Sequence, residues 1–178
     1  FLTDRLGAGN YTAEISFKTT PYYYASSTTA NIIIEGINTT LSASKLTTVY
    51  GKGDELVATL KDADGNPISD AELIFTFDNI DLAAVTGADG KARLDVTLLP
   101  PKVYYATISF AGDEIYNPSS VENVKVYVQK IATSLIATDV VTSYHNGARL
   151  VATLRDANGN TIGYEKVTVT IDGSKWDL

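Results

Sequence analysis

Apolar and polar residues alternate in short runs along most of the chain. Residues 94–98 read Leu-Asp-Val-Thr-Leu, so every second side chain falls on the same face of an extended strand. Clusters of Gly, Asn, Asp and Pro separate these runs at the short spacing typical of a β-sandwich. The pattern predicts almost no helix. It predicts antiparallel strands near 39–49, 54–61, 71–78, 80–86, 91–98, 103–110 and 121–129.

The pattern also repeats along the chain. Residues 56–68 have a near copy at residues 150–162, which lies 94 positions later, and residues 11–17 match residues 104–110 at an offset of 93. These matches predict stacked modules of roughly 100 residues, joined without a flexible linker into a stiff rod. The predicted boundaries are 1–36 for the second half of a repeat, 37–130 for a complete repeat and 131–178 for the first half of another.

Strand parity predicts which side chains form the core of the complete repeat. The predicted inward set is Leu56, Ala58, Leu60, Leu73, Phe75, Leu94, Val96, Ile108, Phe110 and Val126. Tyr23 and Tyr116 match between copies and are assigned to the core as well. Gly65 and Gly159 each follow an Asp or Asn in a tight turn between two apolar strands, so we expect a positive φ at both.

Composition and charge exclude several classes of protein. The net charge is −7 and the pI is about 4.6, without the clustered Lys and Arg that phosphate binding needs, so a nucleic-acid role is not expected. The apolar runs are too short for a transmembrane helix. The first residues lack the basic and apolar regions of a signal peptide, so we expect any signal or anchor to lie outside this sequence. The absence of Cys argues against disulfides and thiolate metal sites.

The turn after residue 60 is the one candidate metal site. Oxygen ligands at alternating positions suit calcium, and the candidate ligands are Asp62, Asp64, Asn66 and Asp70. The terminal Glu of the twelve-residue EF-hand pattern is missing, and the second copy of the turn carries less charge. An ordinary hairpin turn is therefore favoured over calcium, and no cofactor is predicted.

No catalytic constellation stands out. His145 is the only histidine of the chain, its counterpart in the sister copy is Gly51, and no nucleophile lies near it in the sequence. It is interpreted as a loop residue. The sequence thus predicts a protein that is not an enzyme.

Tyrosines supply candidate contact residues. Consecutive tyrosines at residues 22–24 and 104–105 place neighbouring rings on opposite faces, so some rings must be exposed. Exposed tyrosine is favoured at protein interfaces and on sugar-binding surfaces, although it is also an ordinary strand residue. The surface-contact candidates are Tyr22, Tyr24 and Tyr105.

Two N-glycosylation sequons occur, at Asn10 and at Asn38. Pro118 excludes the third tripeptide of this kind, which begins at Asn117. Because Asn38 lies close to the boundary between two predicted modules, a glycan there would stand at a module junction.

Two motifs carry a family resemblance. Residues 60–68 read Leu-Lys-Asp-Ala-Asp-Gly-Asn-Pro-Ile, and residues 106–120 read Ala-Thr-Ile-Ser-Phe-Ala-Gly-Asp-Glu-Ile-Tyr-Asn-Pro-Ser-Ser. Together they resemble the Ig-like repeats of bacterial and archaeal surface proteins, including the adhesin-like proteins of methanogens. The chain departs from the pattern at Thr19-Thr20, in place of Gly-Asp, and at Thr161, in place of Pro. The resemblance implies tandem Ig-like antiparallel β-sandwiches in an extracellular, non-enzymatic adhesin or stalk.

Two functions stay open at this point, and so do two ways in which the half repeats could be completed. The first function is the stalk or fibre, with a glycan or protein of a host or cell surface as a further partner. The second is a carbohydrate-binding module or an accessory domain of a secreted glycosidase. Because a half sandwich exposes its inner face, we expect residues 131–178 of one chain and 1–36 of the next to form a composite module in a head-to-tail filament, or the chain to continue in a longer array.

Overall fold

A computed structural model of the chain describes Thr3 and residues 5–177, and the described residues contain strands and no helix. The outermost residues of both predicted half repeats (Phe1, Leu2, Asp4 and Leu178) lie outside this description. The strands are β1 (Gly9–Phe17), β2 (Ser26–Ile34), β3 (Thr39–Ala43), β4 (Leu46–Val49), β5 (Glu55–Asp62), β6 (Glu72–Phe77), β7 (Ile80–Val85), β8 (Lys91–Asp95), β9 (Val103–Phe110), β10 (Ser119–Gln129), β11 (Thr133–Ala137), β12 (Ala152–Asp156), β13 (Thr168–Ile171) and β14 (Ser174–Asp177).

The central module, residues 37–129, is a sandwich of two sheets. The larger sheet has the strand order β4-β10-β9-β6-β7, and the smaller sheet has the order β3-β5-β8. Every second side chain of β5, β6, β9 and β10 points between the sheets, because successive residues of a strand face opposite ways. All ten side chains that strand parity assigned to the core are buried, so the predicted register of these strands is confirmed.

The prediction of a single strand over residues 39–49 is wrong. The chain crosses from one sheet to the other at Ser44 and Lys45, so β3 pairs antiparallel with β5 whereas β4 pairs parallel with β10. Leu41 and Thr48 are both buried, although an unbroken alternation would place them on opposite faces. The crossing resets the alternation of inward-facing and outward-facing residues. It also makes the β4–β10 pair parallel in a sandwich whose other strand pairs are antiparallel.

A β-bulge in β10 changes the offset between the first repeat and the central module. Matched residues are 93 positions apart before the bulge and 94 positions apart after it. The ladder between β9 and β10 shifts register after Val121, whereas the β1–β2 ladder is continuous. Tyr104 therefore pairs with Val126, and its counterpart Tyr11 pairs with Ile32. One extra residue in the bulge lengthens the repeat without changing which side chains face inward.

The chain divides into two compact units between Gln129 and Lys130. The first unit joins the β1–β2 hairpin to the central module. The second unit contains the hairpins β11–β12 and β13–β14, and none of its described residues, 130–177, is fully buried. The three-part division into 1–36, 37–130 and 131–178 stays a prediction.

Glycine fixes the repeated turn as expected. Gly65 has φ of 87° and Gly159 has φ of 84°, which confirms the predicted positive values. Within the part of the chain that the structure describes, no helix is long and apolar enough to cross a membrane.

Candidate functional site

The loop between β9 and β10, residues 111–118, is held by several internal hydrogen bonds, and we name it the junction loop. Gly112 has φ of 82°, and a Cβ at this position would lie 2.8 Å from the carbonyl oxygen of Tyr116. Asp113 Oδ1 accepts the N–H groups of Ile115 and Tyr116, each at 2.7 Å. The Gly-Asp pair of the motif therefore folds the loop back on itself.

The junction loop binds the linker that enters the central module, residues 36–38. The N–H of Ile37 donates to the carbonyl of Ile115 and the N–H of Asn117 donates to the carbonyl of Ile37, both at 2.8 Å. The N–H of Ala8 donates to the carbonyl of Glu114 at 2.6 Å. The bond from Ala8 to Glu114 thus attaches the β1–β2 hairpin to the central module through the backbone, and the bonds of Ile37 hold the linker against the junction loop.

The side chain of Asn117 completes this attachment. Its Nδ2 donates to the carbonyl of Gly36 at 2.9 Å and to Oδ1 of Asn38 at 2.8 Å. The hydroxyl of Thr39 donates to the carbonyl of Asn117 at 2.9 Å. A Cβ on Gly36 would lie only 2.5 Å from Asn117 Oδ1, so a larger residue cannot replace this glycine without moving the amide. Sequence reasoning assigned Asn117 to a turn and gave it no role at the junction, because a long-range contact leaves no periodic signal.

The calcium candidate is a hydrogen-bonded turn. Asp62 Oδ1 accepts the N–H groups of Asp64 and Asn66 at 3.0 and 2.8 Å, and its Oδ2 accepts Nδ2 of Asn66 at 3.0 Å. Asp70 makes a separate contact, in which its N–H donates to the carbonyl of Thr86. Among the residues that the structure describes, no three His, Cys, Asp or Glu side chains converge on a point where a metal ion would fit. The favoured hairpin turn and its weaker calcium alternative both stay untested as statements about metal binding.

The second copy of the turn has the same bonds. Asp156 accepts the N–H groups of Asn158 and Asn160 at 2.8 and 2.9 Å and Nδ2 of Asn160 at 3.0 Å. In both copies the side-chain amide of the Asn lowers the pKa of the Asp carboxyl, and the backbone N–H groups lower it further. The repeated carboxylate thus organises a turn in each unit.

The predicted tyrosines lie in different surroundings. Tyr22, Tyr24 and Tyr105 are exposed, at 88%, 94% and 63%, but a contact role for them stays a prediction. The core assignment of Tyr23 is wrong, since the ring is 68% exposed, whereas its counterpart Tyr116 packs against the core. Ile15 and Phe17 of the same hairpin are exposed as well, although their counterparts Ile108 and Phe110 are buried, so the loss of burial extends over the hairpin and is not particular to the loop.

Tyr127 is a further surface tyrosine that sequence reasoning missed. It lies on β10 opposite Val103 of β9, one diagonal step from Tyr105, and both rings are on the outer face of the larger sheet. Alternation with the buried Val126 and Val128 was the available signal for its exposure.

The two sequons and the histidine lie at the surface. Asn10 is exposed on β1, and Asn38 is exposed at the linker, where its Oδ1 accepts the bond from Asn117. Glycosylation of either residue stays a prediction. His145 is in an exposed turn with φ of 60°, and its ring lies 4.0 Å from that of Tyr144.

Comparisons with known proteins give a curated relative and several similar solved structures, of which two are described here. No protein-family model matches the chain. The chain is 28% identical over 148 residues to the inverse autotransporter adhesin YeeJ of Escherichia coli (strain K12), an alignment that covers 74% of this chain and spans only 6% of that protein. It is 16% and 15% identical to two structures of the surface layer protein SbsC, domains 1–6 and 4–9, with TM-scores of 0.40 and 0.38. Each alignment covers 94% of this chain and 24% or 30% of the solved chain. The methanogen type of the resemblance stays a prediction.

Proposed function

We propose that this chain is part of a non-enzymatic cell-surface adhesin or stalk built from repeated Ig-like modules. The observation that carries the proposal is the junction, where two hydrogen bonds cross the module boundary: the N–H of Ala8 donates to the carbonyl of Glu114, and Nδ2 of Asn117 donates to the carbonyl of Gly36. A junction bonded in this way holds one module at a fixed angle to the next, which is what a stalk needs and a flexible tether lacks.

The sequence similarity to a known protein supports a location at the cell surface. The curated relative that the chain matches is named an adhesin of the inverse autotransporter type. Recurrence of the Asp-centred turn at Asp62 and Asp156 agrees with a chain whose function depends on repeated architecture and not on one pocket.

Labelling of intact cells tests the proposed location. An antibody raised against the purified chain should label unpermeabilised cells that produce the protein, and brief treatment of those cells with protease should remove the label. Labelling that appears only after permeabilisation contradicts a surface role. A cytoplasmic protein of the same cells serves as the control for leakage.

The outer face of the larger sheet favours a second function, binding of carbohydrate. Tyr105 and Tyr127 present two neighbouring exposed rings on adjacent strands, and stacked sugars use such flat amphipathic surfaces. A glycan array tests this alternative. Binding that is lost in Tyr105→Ala/Tyr127→Ala but kept in Tyr22→Ala/Tyr24→Ala supports it, and an array without any bound glycan contradicts it.

A further inference from the structure

The exposed turn at residues 143–147 contains the pair Asn146-Gly147. The N–H of Asn146 donates to the carbonyl of Ser143 at 3.2 Å, which closes the turn. Gly147 follows with φ of 74°, and a Cβ at this position would meet no atom within 4 Å. Among the described residues, Thr3 and 5–177, no group accepts a hydrogen bond from the N–H of Gly147. The backbone nitrogen that follows Asn146 is therefore unshielded and unbonded.

The complete central module has the same turn, so the exposure of this pair does not depend on what surrounds the second unit. The counterparts of Asn146 and Gly147 are Lys52 and Gly53. The N–H of Lys52 donates to the carbonyl of Val49 at 3.1 Å, and Gly53 has φ of 81°. Both residues are exposed although the two sheets of that module are present. The turn is therefore a surface feature of the module itself.

The chain contains a second Asn-Gly pair whose backbone nitrogen is bonded. The N–H of Gly159 donates to the carbonyl of Asp156 at 3.0 Å, and the N–H of Asn158 donates to Asp156 Oδ1 at 2.8 Å. Gly159 is also exposed, has φ of 84° and has no atom within 4 Å of a Cβ position. The equivalent bond in the complete central module joins the N–H of Gly65 to the carbonyl of Asp62 at 3.1 Å. The two Asn-Gly pairs thus share their sequence, exposure and glycine φ and differ in their hydrogen bonds.

The chemistry of an unbonded Asn-Gly pair is cyclisation. The nitrogen of Gly147 gives its proton to a base in solution and forms a bond to Cγ of Asn146. The bond from Cγ to Nδ2 then breaks, and Nδ2 takes up a proton and leaves as ammonia, so a five-membered succinimide remains. Water opens one of the two C–N bonds of the ring, and the product is aspartate or isoaspartate. The reaction consumes only water, and glycine favours it because no Cβ shields the nitrogen or restricts the backbone.

We propose that Asn146 is a site of spontaneous deamidation and that the turn at Asp156 protects Asn158 from the same reaction. Attack by the nitrogen of Gly159 requires that its N–H first leave the carbonyl of Asp156, whereas Gly147 has no such bond to break. Deamidation adds one carboxylate to a chain whose net charge is −7. Isoaspartate also inserts one methylene into the backbone of the turn between the counterparts of β4 and β5. The modification does not depend on the proposed stalk.

Peptide mapping of the folded chain by mass spectrometry tests the proposal. The chain is incubated at neutral pH, and the fractions of aspartate and isoaspartate at Asn146 and Asn158 are followed over time. Conversion should be about 10-fold faster at Asn146, because a tenfold ratio of rates corresponds to about 1.4 kcal/mol, which is close to one net hydrogen bond. Equal rates in the folded chain, or a faster reaction at Asn158, overturn the proposal.

Denaturation of the same chain shows whether the fold causes the difference. In guanidinium chloride the bond from Gly159 to Asp156 is absent, and the two Asn-Gly pairs should react at nearly equal rates. An unchanged ratio of rates in the unfolded chain would assign the difference to the neighbouring residues and would overturn protection by the turn.

Two variants separate the sites. Asp156→Ala removes the carboxylate that accepts the N–H groups of Asn158 and Asn160, so it should accelerate the reaction at Asn158 by about 5-fold, the equivalent of about 1 kcal/mol. Its rate at Asn146 should stay the same. Asn146→Lys places the residue of the central copy in the turn and should abolish isoaspartate in that peptide, while Asn158 reacts at its former rate. An Asn158 rate that Asp156→Ala leaves unaltered contradicts the protective role, and circular dichroism shows whether each variant keeps its sheets.

Discussion

The Gly90→Ala substitution should destabilise the central module far more than Gly51→Ala does. Both glycines have a positive φ, 68° at Gly90 and 79° at Gly51, so both substitutions carry a similar backbone strain. A Cβ on Gly51 meets no atom within 4 Å, whereas a Cβ on Gly90 would lie 2.7 Å from the carbonyl oxygen of Leu60 and 2.8 Å from Cβ of Pro67. The difference in the free energy of unfolding between the two variants therefore isolates the contribution of the steric clash.

The loss of stability expected for each variant follows from the atoms that the new Cβ displaces. Gly51→Ala should cost about 1 kcal/mol, the strain of an L-residue at this φ less the gain from a stiffer unfolded chain. Relief of the clash at Gly90 displaces Leu60, whose N–H donates to the carbonyl of Gly90 at 2.8 Å. Overpacking at about 1–3 kcal/mol and one weakened hydrogen bond at about 1 kcal/mol give a further loss of about 2–4 kcal/mol.

Hydrogen exchange measured by mass spectrometry is the appropriate assay, because the only tryptophan, Trp176, reports on the second unit. Peptides that cover β5 and β9 give the free energy of unfolding of the central module from their slowest amides. Equal losses for the two variants would refute the steric argument, and so would a smaller loss for Gly90→Ala.

Three further predictions concern the core, the junction and the pH dependence. Phe75→Ala should cost about 3–5 kcal/mol in a denaturant titration followed by circular dichroism, because the ring is completely buried, while Ile80→Ala, at an exposed position, should stay within about 0.5 kcal/mol. Asn117→Ala should speed amide exchange at the 36–38 linker in NMR spectra while the slowest core amides are unchanged, and unaltered linker exchange would remove its proposed role. The Asp62 carboxyl has a lowered pKa in the folded chain, so its contribution is complete above the unfolded value of about 3.9 and is lost as the pH falls through the folded value. Asp62→Asn should therefore reduce the acid sensitivity of the central module, and identical acid unfolding of the two chains would contradict this.

Local periodicity predicted the central core because each strand there buries one face and exposes the other. Leu56 and Leu60 on β5 alternate with partly exposed residues over the whole strand, so the parity of one residue fixes that of its neighbours. The repeated Asp-Asn turn was equally visible in the sequence. Its short-range bonds at Asp62 and Asp156 involve residues no more than four positions apart.

Local sequence patterns could not predict the long-range contacts. The bond from Asn117 to Gly36 joins residues 81 positions apart, and no local pattern indicates it. The prediction of one strand over residues 39–49 failed for a related reason. Thr-rich residues on both sides of Ser44 and Lys45 continue the alternation of a strand while the backbone changes sheets. Tyr23 shows that a sequence match to a packed residue does not by itself transfer burial, because burial also depends on which strands cover the position.

The parallel pairing of β4 with β10 decides how the central module responds to tension. When Ile37 and Gln129 are pulled apart, these two neighbouring strands are drawn in opposite directions along one axis, so the hydrogen bonds from Leu46–Val126 onward carry the load together, in shear. The β1–β2 hairpin behaves differently, because Gly9 and Ile34 at its two ends are paired with each other and a pull opens its ladder one bond at a time. The β1–β2 ladder is thus loaded one bond at a time, whereas the β4–β10 ladder is loaded along its whole length at once.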